Sequence, residues 1–188
     1  MDLILLRHTT SVDNEKKVFS SPDTPLSDLG LKQLELLVEK EYPVKRVYTS
    51  PYKRSYALAE AISKGHDLPL VVDERLREID FGKFQGLHFE EIEKLYPEEV
   101  SLWMEDPWSF GYPGGENFHH VRSRARRFFY DVEESSLIVS HQALMVSLLA
   151  EILDYSYADL SKIYLGSGAR VELSSQPWRL HRLENLKE

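Results

Sequence analysis

The sequence contains no cysteine among its 188 residues. This absence excludes disulfide bonds, a thiolate nucleophile and every zinc or iron–sulfur site that is built on cysteine. A domain of this length buries enough apolar surface to fold without covalent or metal cross-links. Any covalent catalysis in this protein therefore has to use another side chain.

Long apolar runs and an excess of basic residues are also missing. The apolar run Leu3–Leu6 stops at Arg7, and it is too short for a signal-peptide core or a membrane span. Lysine and arginine number 23 against 31 aspartate and glutamate residues, whereas nucleic-acid binding depends on clustered positive charge. We therefore expect a cytoplasmic protein that binds neither membranes nor nucleic acids. The net charge of −8 still permits a small anionic substrate in a local basic pocket.

Segments typical of strands alternate with segments typical of helices, and no repeat or linker divides the chain. Leu3–Leu6 and Leu137–Val139 are apolar at every position, which is typical of parallel strands covered on both faces. We expect one domain, residues 1–188, of the α/β class, with three layers: a mostly parallel sheet and helices on both faces. A small lid insertion of helices and loop is predicted around 85–118. The other predicted strands are 44–49, 68–72, 171–173 and 178–181, and the predicted helices are 27–38, 50–62, 90–96, 97–104, 117–132 and 143–153.

Two histidines and two arginines follow the predicted strands. Arg7 and His8 end the first strand. Arg54 lies in the helix after the second strand, and His141 follows the strand Leu137–Val139. Taken singly, a histidine at a strand end is more often structural, and Arg54 fits a surface charge. Because ligands of open α/β sheets bind beyond the carboxyl ends of the strands, however, we expect all four side chains at one crevice.

This combination of side chains suits a phosphoryl dianion. A guanidinium group binds phosphate oxygens bidentately, and a neutral imidazole is able to attack phosphorus. Arginines beside His8 disfavour its protonated form and so keep its lone pair available. The pattern therefore predicts a phosphoryl-binding site with a histidine nucleophile.

Six segments resemble, in the same order, the signature motifs of the histidine phosphatase, or phosphoglycerate mutase-like, superfamily. They are Arg7–Asn14 (family pattern Arg-His-Gly-Glu-Thr-x-x-Asn), Asp23–Ser27 with Gly30 (Asp-x-Pro-Leu-Ser/Thr…Gly), Ser50–Ser55 (Ser-x-Leu-x-Arg-Ala), Leu76–Gly86 (Leu-x-Glu-x-x-Phe-Gly-x-Trp-Glu-Gly), Pro113–Asn117 (Pro-x-Gly-Glu-Ser) and Val139–His141 (Val-Ser-His). The resemblance spans nearly the whole chain, and in size and motifs it is strongest to small phosphatases such as α-ribazole phosphatase. Thr9-Thr10 stand where the family usually has Gly-Glu, and Gln142-Ala143 where it has Gly-Gly, so the shape of the pocket floor is left open.

The resemblance implies a phosphatase that uses a covalent phosphohistidine, needs no metal or other cofactor, and acts on a small phosphorylated metabolite. It implies that His8 is the nucleophile. Glu78 is implied as the acid that protonates the leaving oxygen and then activates water. The structural alternative is that Glu78 is only a surface carboxylate. Asp80 is the alternative acid. The residues implied to bind the phosphoryl group or the substrate are Arg7, Asn14, Arg54, His141 and Gln142.

Aromatic side chains are concentrated in the predicted lid, at Trp103, Trp108, Phe110 and Tyr112. Two interpretations stay open: these rings stack on a ring-bearing leaving group, or they form a small core of the lid itself. The resemblance to α-ribazole phosphatases makes α-ribazole 5′-phosphate, whose leaving group carries a benzimidazole, a candidate substrate.

Two further motifs have structural interpretations. His119-His120 lacks the spacing of a metal site with a nearby carboxylate, so we expect it on a helix surface or at the pocket rim. The arginine-rich segment Arg122–Arg127 resembles a nucleic-acid patch, but on an acidic protein it is predicted as a solvated helix face paired with glutamates.

Two other functions compete with a phosphatase. A phosphoglycerate mutase uses the same phosphohistidine but carries a longer stretch between the acid and the second histidine, whereas Glu78 and His141 are joined here by a compact segment. A protein that only binds a phosphate ligand is the alternative from a different class, and it is disfavoured by the complete set of charged residues. Neither oligomeric state nor pathway follows from the sequence.

Overall fold

The computed structural model describes residues 1–160 and 162–186. One six-stranded sheet, in the order β3-β2-β4-β1-β5-β6, crosses the molecule. The first four strands of this order are parallel, and β5 and β6 are antiparallel to their neighbours. The strands are β1 (Asp2–Arg7), β2 (Arg46–Thr49), β3 (Leu70–Val72), β4 (Ser136–Ser140), β5 (Arg170–Ser174) and β6 (Arg179–Glu184).

Helices cover both faces of the sheet. They are α1 (Val12–Lys16), α2 (Asp28–Val38), α3 (Lys53–His66), α4 (Phe89–Leu95), α5 (Pro97–Glu105), α6 (Phe118–Tyr130), α7 (Gln142–Leu153) and α8 (Tyr157–Leu160). In β1 the side chains alternate: Leu3 and Leu5 pack into a core with α6 and α7, while Ile4 and Leu6 pack into a second core with α2 and α3. The predicted three-layer α/β fold with a mostly parallel sheet is confirmed.

The predicted lid is built from α4, α5 and the loop that leads to Asn117. Pro97 ends α4 as predicted and is also the first residue of α5, where its missing N–H leaves no intrahelical hydrogen bond unmade. Asn117 caps α6 by accepting a hydrogen bond from the backbone N–H of His120.

The start of α3 differs from the prediction. The predicted helix 50–62 would have Ser50 at its cap, but α3 begins at Lys53, after Tyr52. The hydroxyl of Ser50 instead hydrogen-bonds with His141 across the site. The bend at 50–52 moves the start of α3 so that the buried Arg54 lies in its first turn.

The sheet order brings the predicted site residues together. β1 and β4 are adjacent, with Arg7 opposite Ser140, and the backbone N–H of His8 donates to the carbonyl oxygen of Ser140 at 3.0 Å. β2 lies on the other side of β4, with Thr49 opposite Val139. The carboxyl ends of three strands from remote parts of the chain therefore form one edge. None of the helices within the described ranges combines the length and apolarity that a bilayer crossing requires.

Candidate active site

His8 lies directly after β1 and is almost completely buried. Its Nδ1 atom lies 2.7 Å from the carbonyl oxygen of Thr9, so this nitrogen carries the proton and donates it. The other ring nitrogen, Nε2, accepts a hydrogen bond from Nε of Arg54 at 3.1 Å. Together these contacts fix the tautomer in which Nε2 carries the lone pair that a nucleophile needs.

The surroundings of His8 also keep its ring neutral. Burial lowers the pKa of His8 well below its usual range, and the guanidinium groups of Arg54 and Arg7 lower it further. Arg54 is only 1% exposed, and its Nη1 donates to the carbonyl oxygen of Ser21 at 2.7 Å. Its guanidinium carbon lies 5.3 Å from the centre of the Tyr52 ring. A neutral imidazole beside fixed cations is suited to attack on a phosphate ester.

His8, Arg7 and Arg54 line a cavity of about 210 Å³, which we call the phosphoryl cavity. Nη1 of Arg7 donates to the carbonyl oxygen of Leu165 at 2.5 Å. Its Nε is buried and has no partner within the described part of the chain. The guanidinium groups of Arg7 and Arg54 therefore give the cavity the positive charge that binding of a phosphoryl group requires.

Asn14 and Gln142 lie in the wall of the same cavity. The side-chain carbonyl of Asn14 accepts a hydrogen bond from the backbone N–H of Ser11 at 3.0 Å, which directs its amide group away from that N–H. Gln142 is the first residue of α7 and is exposed. Both residues therefore border the phosphoryl cavity, and their contact with the substrate stays a prediction.

His141 follows β4 and packs beside His8, with ring centres 5.1 Å apart. Its Nε2 lies 2.9 Å from the hydroxyl of Ser50, and its Nδ1 is buried without a partner in the described ranges. Burial lowers the pKa of His141 well below its usual range, and Arg54 lowers it further. His141 does not line the phosphoryl cavity, so direct contact with phosphoryl oxygens stays a prediction.

Glu78 lies where the phosphoryl cavity meets a second cavity of about 320 Å³, and it lines both. Its Oε1 accepts hydrogen bonds from the backbone N–H groups of Ile79 and Ala143, each at 3.0 Å. Because both bonds go to Oε1, the other oxygen is the one suited to carry an acid proton. An acid at this junction is placed for the oxygen that joins a phosphoryl group to its leaving group.

Asp80, the alternative acid, points elsewhere. Its Oδ1 accepts hydrogen bonds from the backbone N–H of Gly82 at 2.9 Å and from Nε2 of Gln85 at 2.7 Å. It lines neither the phosphoryl cavity nor the second cavity. The geometry therefore favours Glu78 as the acid.

Arg124 is a residue whose role the sequence reasoning missed. The prediction placed it on a solvated face of α6, but it is buried because its guanidinium group fills a space between α6 and the segment 75–80. It donates to the carbonyl oxygen of Glu78 at 3.0 Å and forms an ion pair with Glu116, also at 3.0 Å. Glu116 in turn accepts a hydrogen bond from the backbone N–H of Asp80. Arg124 and Glu116, eight residues apart, therefore hold the segment that carries Glu78.

Lys17 was also missed. It is exposed, lines the phosphoryl cavity, and ends α1 with φ of 56°, a left-handed conformation that non-glycine residues seldom adopt. Its backbone N–H donates to the carbonyl oxygen of Asn14 at 3.1 Å. The sequence carries no signal for this conformation. Sequence alone therefore does not show that the chain turns at Lys17 and brings a third cation to the cavity.

Thr9 and Thr10, which depart from the family pattern, do not line the phosphoryl cavity. The backbone N–H and the hydroxyl of Thr10 both donate to the side-chain oxygen of Gln33, at 3.0 and 2.9 Å. A Cβ atom at Gly30 would lie 1.9 Å from the carbonyl oxygen of Thr10, so this position admits only glycine. Thr9 and Thr10 therefore add no side chain to the wall of the phosphoryl cavity.

The other sequence motifs lie on the surface. His119 and His120 are exposed on α6, and the described residues contain no group of three or more side chains placed to hold a metal ion. Arg122 and Arg126 both pair with Glu151, at 3.4 and 3.2 Å. These two arginines therefore follow the prediction of a helix face paired with glutamate.

The aromatic residues of the lid divide into two groups. Trp103 and Phe110 pack with Tyr112 in the lid core, with ring centres 5.2 to 6.4 Å apart. Trp108 lies apart from them and stacks on Tyr157, with centres 4.8 Å apart and an interplanar angle of 11°. Trp108 and Tyr112 both line the second cavity. Trp103 and Phe110 therefore support the interpretation of a lid core. Trp108 supports the interpretation of a ring that contacts the leaving group.

Comparison with known proteins agrees with this geometry. The family model described as the histidine phosphatase superfamily (branch 1) matches residues 3–186. Phosphoserine phosphatase 1 of Hydrogenobacter thermophilus is 32% identical over 170 residues, which cover 86% of this chain and 79% of that protein.

Two solved structures share the fold. A mycobacterial glucosyl-3-phosphoglycerate phosphatase superposes with a TM-score of 0.81 at 26% identity, covering 95% of this chain and 96% of that one. The α-ribazole phosphatase of Shigella flexneri has a TM-score of 0.88 over 98% of this chain and 96% of its own, but at 24% identity it shows the fold alone. By its family model, its sequence relatives and its fold, this chain belongs to the histidine phosphatase superfamily (branch 1).

Proposed function

We propose that this protein is a metal-independent phosphatase that hydrolyses small phosphomonoesters through a phosphohistidine on His8. The observation that carries the proposal is the pair of hydrogen bonds on the His8 ring, one to Thr9 and one from Arg54. They leave a neutral imidazole with its Nε2 lone pair beside a guanidinium group, which is the arrangement that attack on a phosphate ester needs.

The reaction has two steps. In the first, Nε2 of His8 attacks phosphorus, the P–O bond to the alcohol breaks, and Glu78 gives its proton to the departing oxygen. In the second, Glu78 takes a proton from water as the water oxygen attacks phosphorus. The P–N bond then breaks, which releases inorganic phosphate and returns His8 to its neutral form. Arg7 and Arg54 stabilise the negative charge of the phosphoryl oxygens in both steps.

Two candidate substrates come from different sources. α-Ribazole 5′-phosphate is the candidate that the sequence motifs suggested. Phosphoserine is suggested by the name of the relative from Hydrogenobacter thermophilus, which is 32% identical. We infer a small metabolite in either case, because the phosphoryl cavity is only about 210 Å³ in volume. A cytoplasmic location stays a prediction from the sequence.

Phosphate release from p-nitrophenyl phosphate tests the proposal. We expect turnover by the wild type, no change on addition of EDTA, and loss of activity in His8→Gln. Loss of activity on chelation would contradict metal independence, and full activity of His8→Gln would contradict the nucleophile. A mutase would instead interconvert 2- and 3-phosphoglycerate when catalytic bisphosphoglycerate is added. A protein that only binds a phosphate ligand would turn over neither p-nitrophenyl phosphate nor phosphoglycerate.

A further inference from the structure

The second cavity differs sharply in charge from the phosphoryl cavity. The phosphoryl cavity is lined by three cationic side chains, Arg7, Lys17 and Arg54. The second cavity, about 320 Å³ in volume, is lined by no lysine, arginine or histidine of the described residues. Among the described lining residues, the ionisable carboxyl is that of Glu78, at the boundary between the two cavities. A substrate that spans both cavities therefore meets positive charge only at its phosphoryl end.

Apolar and aromatic side chains form most of the wall of the second cavity. Trp108 and Phe118 contribute two rings in edge-to-face contact, with centres 4.8 Å apart. Val146 and Ile163 contribute aliphatic groups. Tyr112 is buried, and burial raises the pKa of its hydroxyl, so it faces the cavity as a neutral phenol.

One cation behind this wall is already engaged. Arg122 lies over the outer ring of the Trp108–Tyr157 stack, 5.7 Å from the centre of Tyr157, and pairs with Glu151. An anionic group inside the second cavity would therefore lose water without a cationic side chain among the described lining residues to pair with it. Burial of an unpaired charge is among the most unfavourable changes that a binding site can impose.

We propose that the second cavity binds the alcohol part of the substrate and selects monoesters of uncharged, ring-bearing alcohols over monoesters that carry a carboxylate or a second phosphate. The inference rests on the proposed phosphatase function and names its substrate class. It favours a substrate of the ribazole type over phosphoserine, because the serine part carries a carboxylate. Gln142 and the hydroxyl of Tyr112 are the polar groups available to an uncharged alcohol in this cavity.

A matched pair of substrates tests this selection without changing the leaving oxygen. The pair is 2-phenylethyl phosphate and the same ester with a carboxylate at the para position of the ring, with phosphoserine as a third substrate. We expect kcat/KM for the uncharged ester to exceed that for each carboxylated ester by at least about tenfold, since a buried unpaired charge costs more than 1.4 kcal/mol. Equal values, or a preference for either carboxylated ester, would overturn the inference.

Substitution of Trp108 tests the cavity itself. We expect Trp108→Ala to raise KM for 2-phenylethyl phosphate by about 2- to 12-fold, because an aromatic pair contributes about 0.5–1.5 kcal/mol, and to raise KM for ethyl phosphate by a smaller factor. Trp178→Ala is the matched control, because Trp178 packs on Phe129 and does not line the cavity. Equal effects of Trp108→Ala on both esters would overturn the assignment of the ring to this cavity.

The test separates the two proposals. Hydrolysis of every ester with no charge preference would remove the inference and leave the phosphatase intact. Absence of phosphate release from all esters would remove the phosphatase instead. Binding of 2-phenylethylphosphonate and its para-carboxylate, measured by calorimetry, then still tests the selection, because phosphonates lack the P–O bond that the reaction breaks. Equal affinities for the two phosphonates would overturn the inference on their own.

Discussion

The two cavities that meet at Glu78 are held together by different forces. In the phosphoryl cavity, His8, Arg54 and Glu78 are buried and fixed by hydrogen bonds to backbone groups. In the second cavity, Trp108 and its neighbours are held mainly by contacts between rings. Hydrogen bonds fix direction and distance, whereas ring contacts fix shape. Substitutions in the first cavity should therefore change the rate of chemistry, and substitutions in the second should change the choice of substrate.

We expect the largest effect for Glu78→Gln, because Glu78 lies at the boundary between the two cavities. Its kcat/KM for alkyl phosphates should fall about 10²- to 10⁴-fold, because an alkoxide leaves poorly without a proton. Its kcat/KM for p-nitrophenyl phosphate should fall much less, because p-nitrophenolate departs without one. Equal losses on both esters would remove Glu78 from the role of acid. Asp80→Asn, which lies outside both cavities, is the control and should show no such dependence on the leaving group.

Arg124→Met should also lower kcat/KM for alkyl phosphates more than kcat/KM for p-nitrophenyl phosphate, but by a smaller factor than Glu78→Gln. Without its guanidinium group the segment that carries Glu78 shifts, and a displacement of about 1 Å lowers rates by about 10²-fold. The variant also leaves Glu116 without its partner, so its free energy of unfolding should fall by about 3–5 kcal/mol. Kinetics on the two classes of ester and urea unfolding provide the measurements.

Arg122→Met is the control for this substitution, since Arg122 lies on the same helix and pairs on the surface with Glu151. It should change neither activity nor stability appreciably. If Arg124→Met slowed alkyl and p-nitrophenyl phosphate equally, Arg124 would act on the fold as a whole and not through Glu78. Arg124→Lys should restore part of the kcat/KM for alkyl phosphates that Arg124→Met loses.

The pH dependence of stability tests the role of the two buried histidines, His8 and His141. The pKa values of His8 and His141 are lowered by burial first and by Arg54 second. Below about pH 6.5 the unfolded chain therefore binds protons that the folded chain does not, so stability is full above that pH and falls as the pH is lowered. The midpoint of thermal unfolding should decrease from pH 7.5 to 5.5 in the wild type.

The same decrease should be smaller in a His8→Gln/His141→Gln variant, because both buried groups that resist protonation are removed. His119→Gln, on the surface of α6, should behave like the wild type. An identical pH dependence in all three proteins would contradict the role of the buried imidazoles.

The smallest effect is expected for Lys17→Met, at the mouth of the phosphoryl cavity. An exposed cation contributes little binding energy, so KM for all phosphomonoesters should rise about 2- to 5-fold with little change in kcat. The effect should shrink as salt is added. Lys16→Met, an exposed neighbour that does not line the cavity, is the matched control, and equal KM values in the two variants would show that Lys17 makes no contact with the substrate.

How well each cavity could be predicted from the sequence depends on the same difference between the two cavities. Arg7, His8 and His141 could be placed because parallel strands bring their carboxyl ends to one edge, and apolar strands are easily recognised. The lid could be located but not interpreted, since composition does not tell a ring that packs in a core, such as Trp103, from one that lines a cavity, such as Trp108.

Two features of the site depend on tertiary structure that local patterns do not encode. The arginine spacing on α6 indicated a surface, but Arg124 is buried because three backbone carbonyl groups of a remote segment surround it. Ser50 has the sequence of a helix cap, but its hydroxyl contacts His141, more than ninety residues away in the chain. Both departures occur around Glu78 and His8, where the needs of the site override local propensity.

The most direct test of the account is to trap the phosphoryl group on the enzyme. Glu78→Gln should accumulate the intermediate with p-nitrophenyl phosphate, because the leaving group departs without an acid while the attacking water lacks its base. After an alkaline quench, mass spectrometry should find one phosphoryl group on the peptide that contains His8, and none in the variant that also carries His8→Gln. Label on any other residue, or sustained turnover without a phosphoenzyme, would contradict the mechanism.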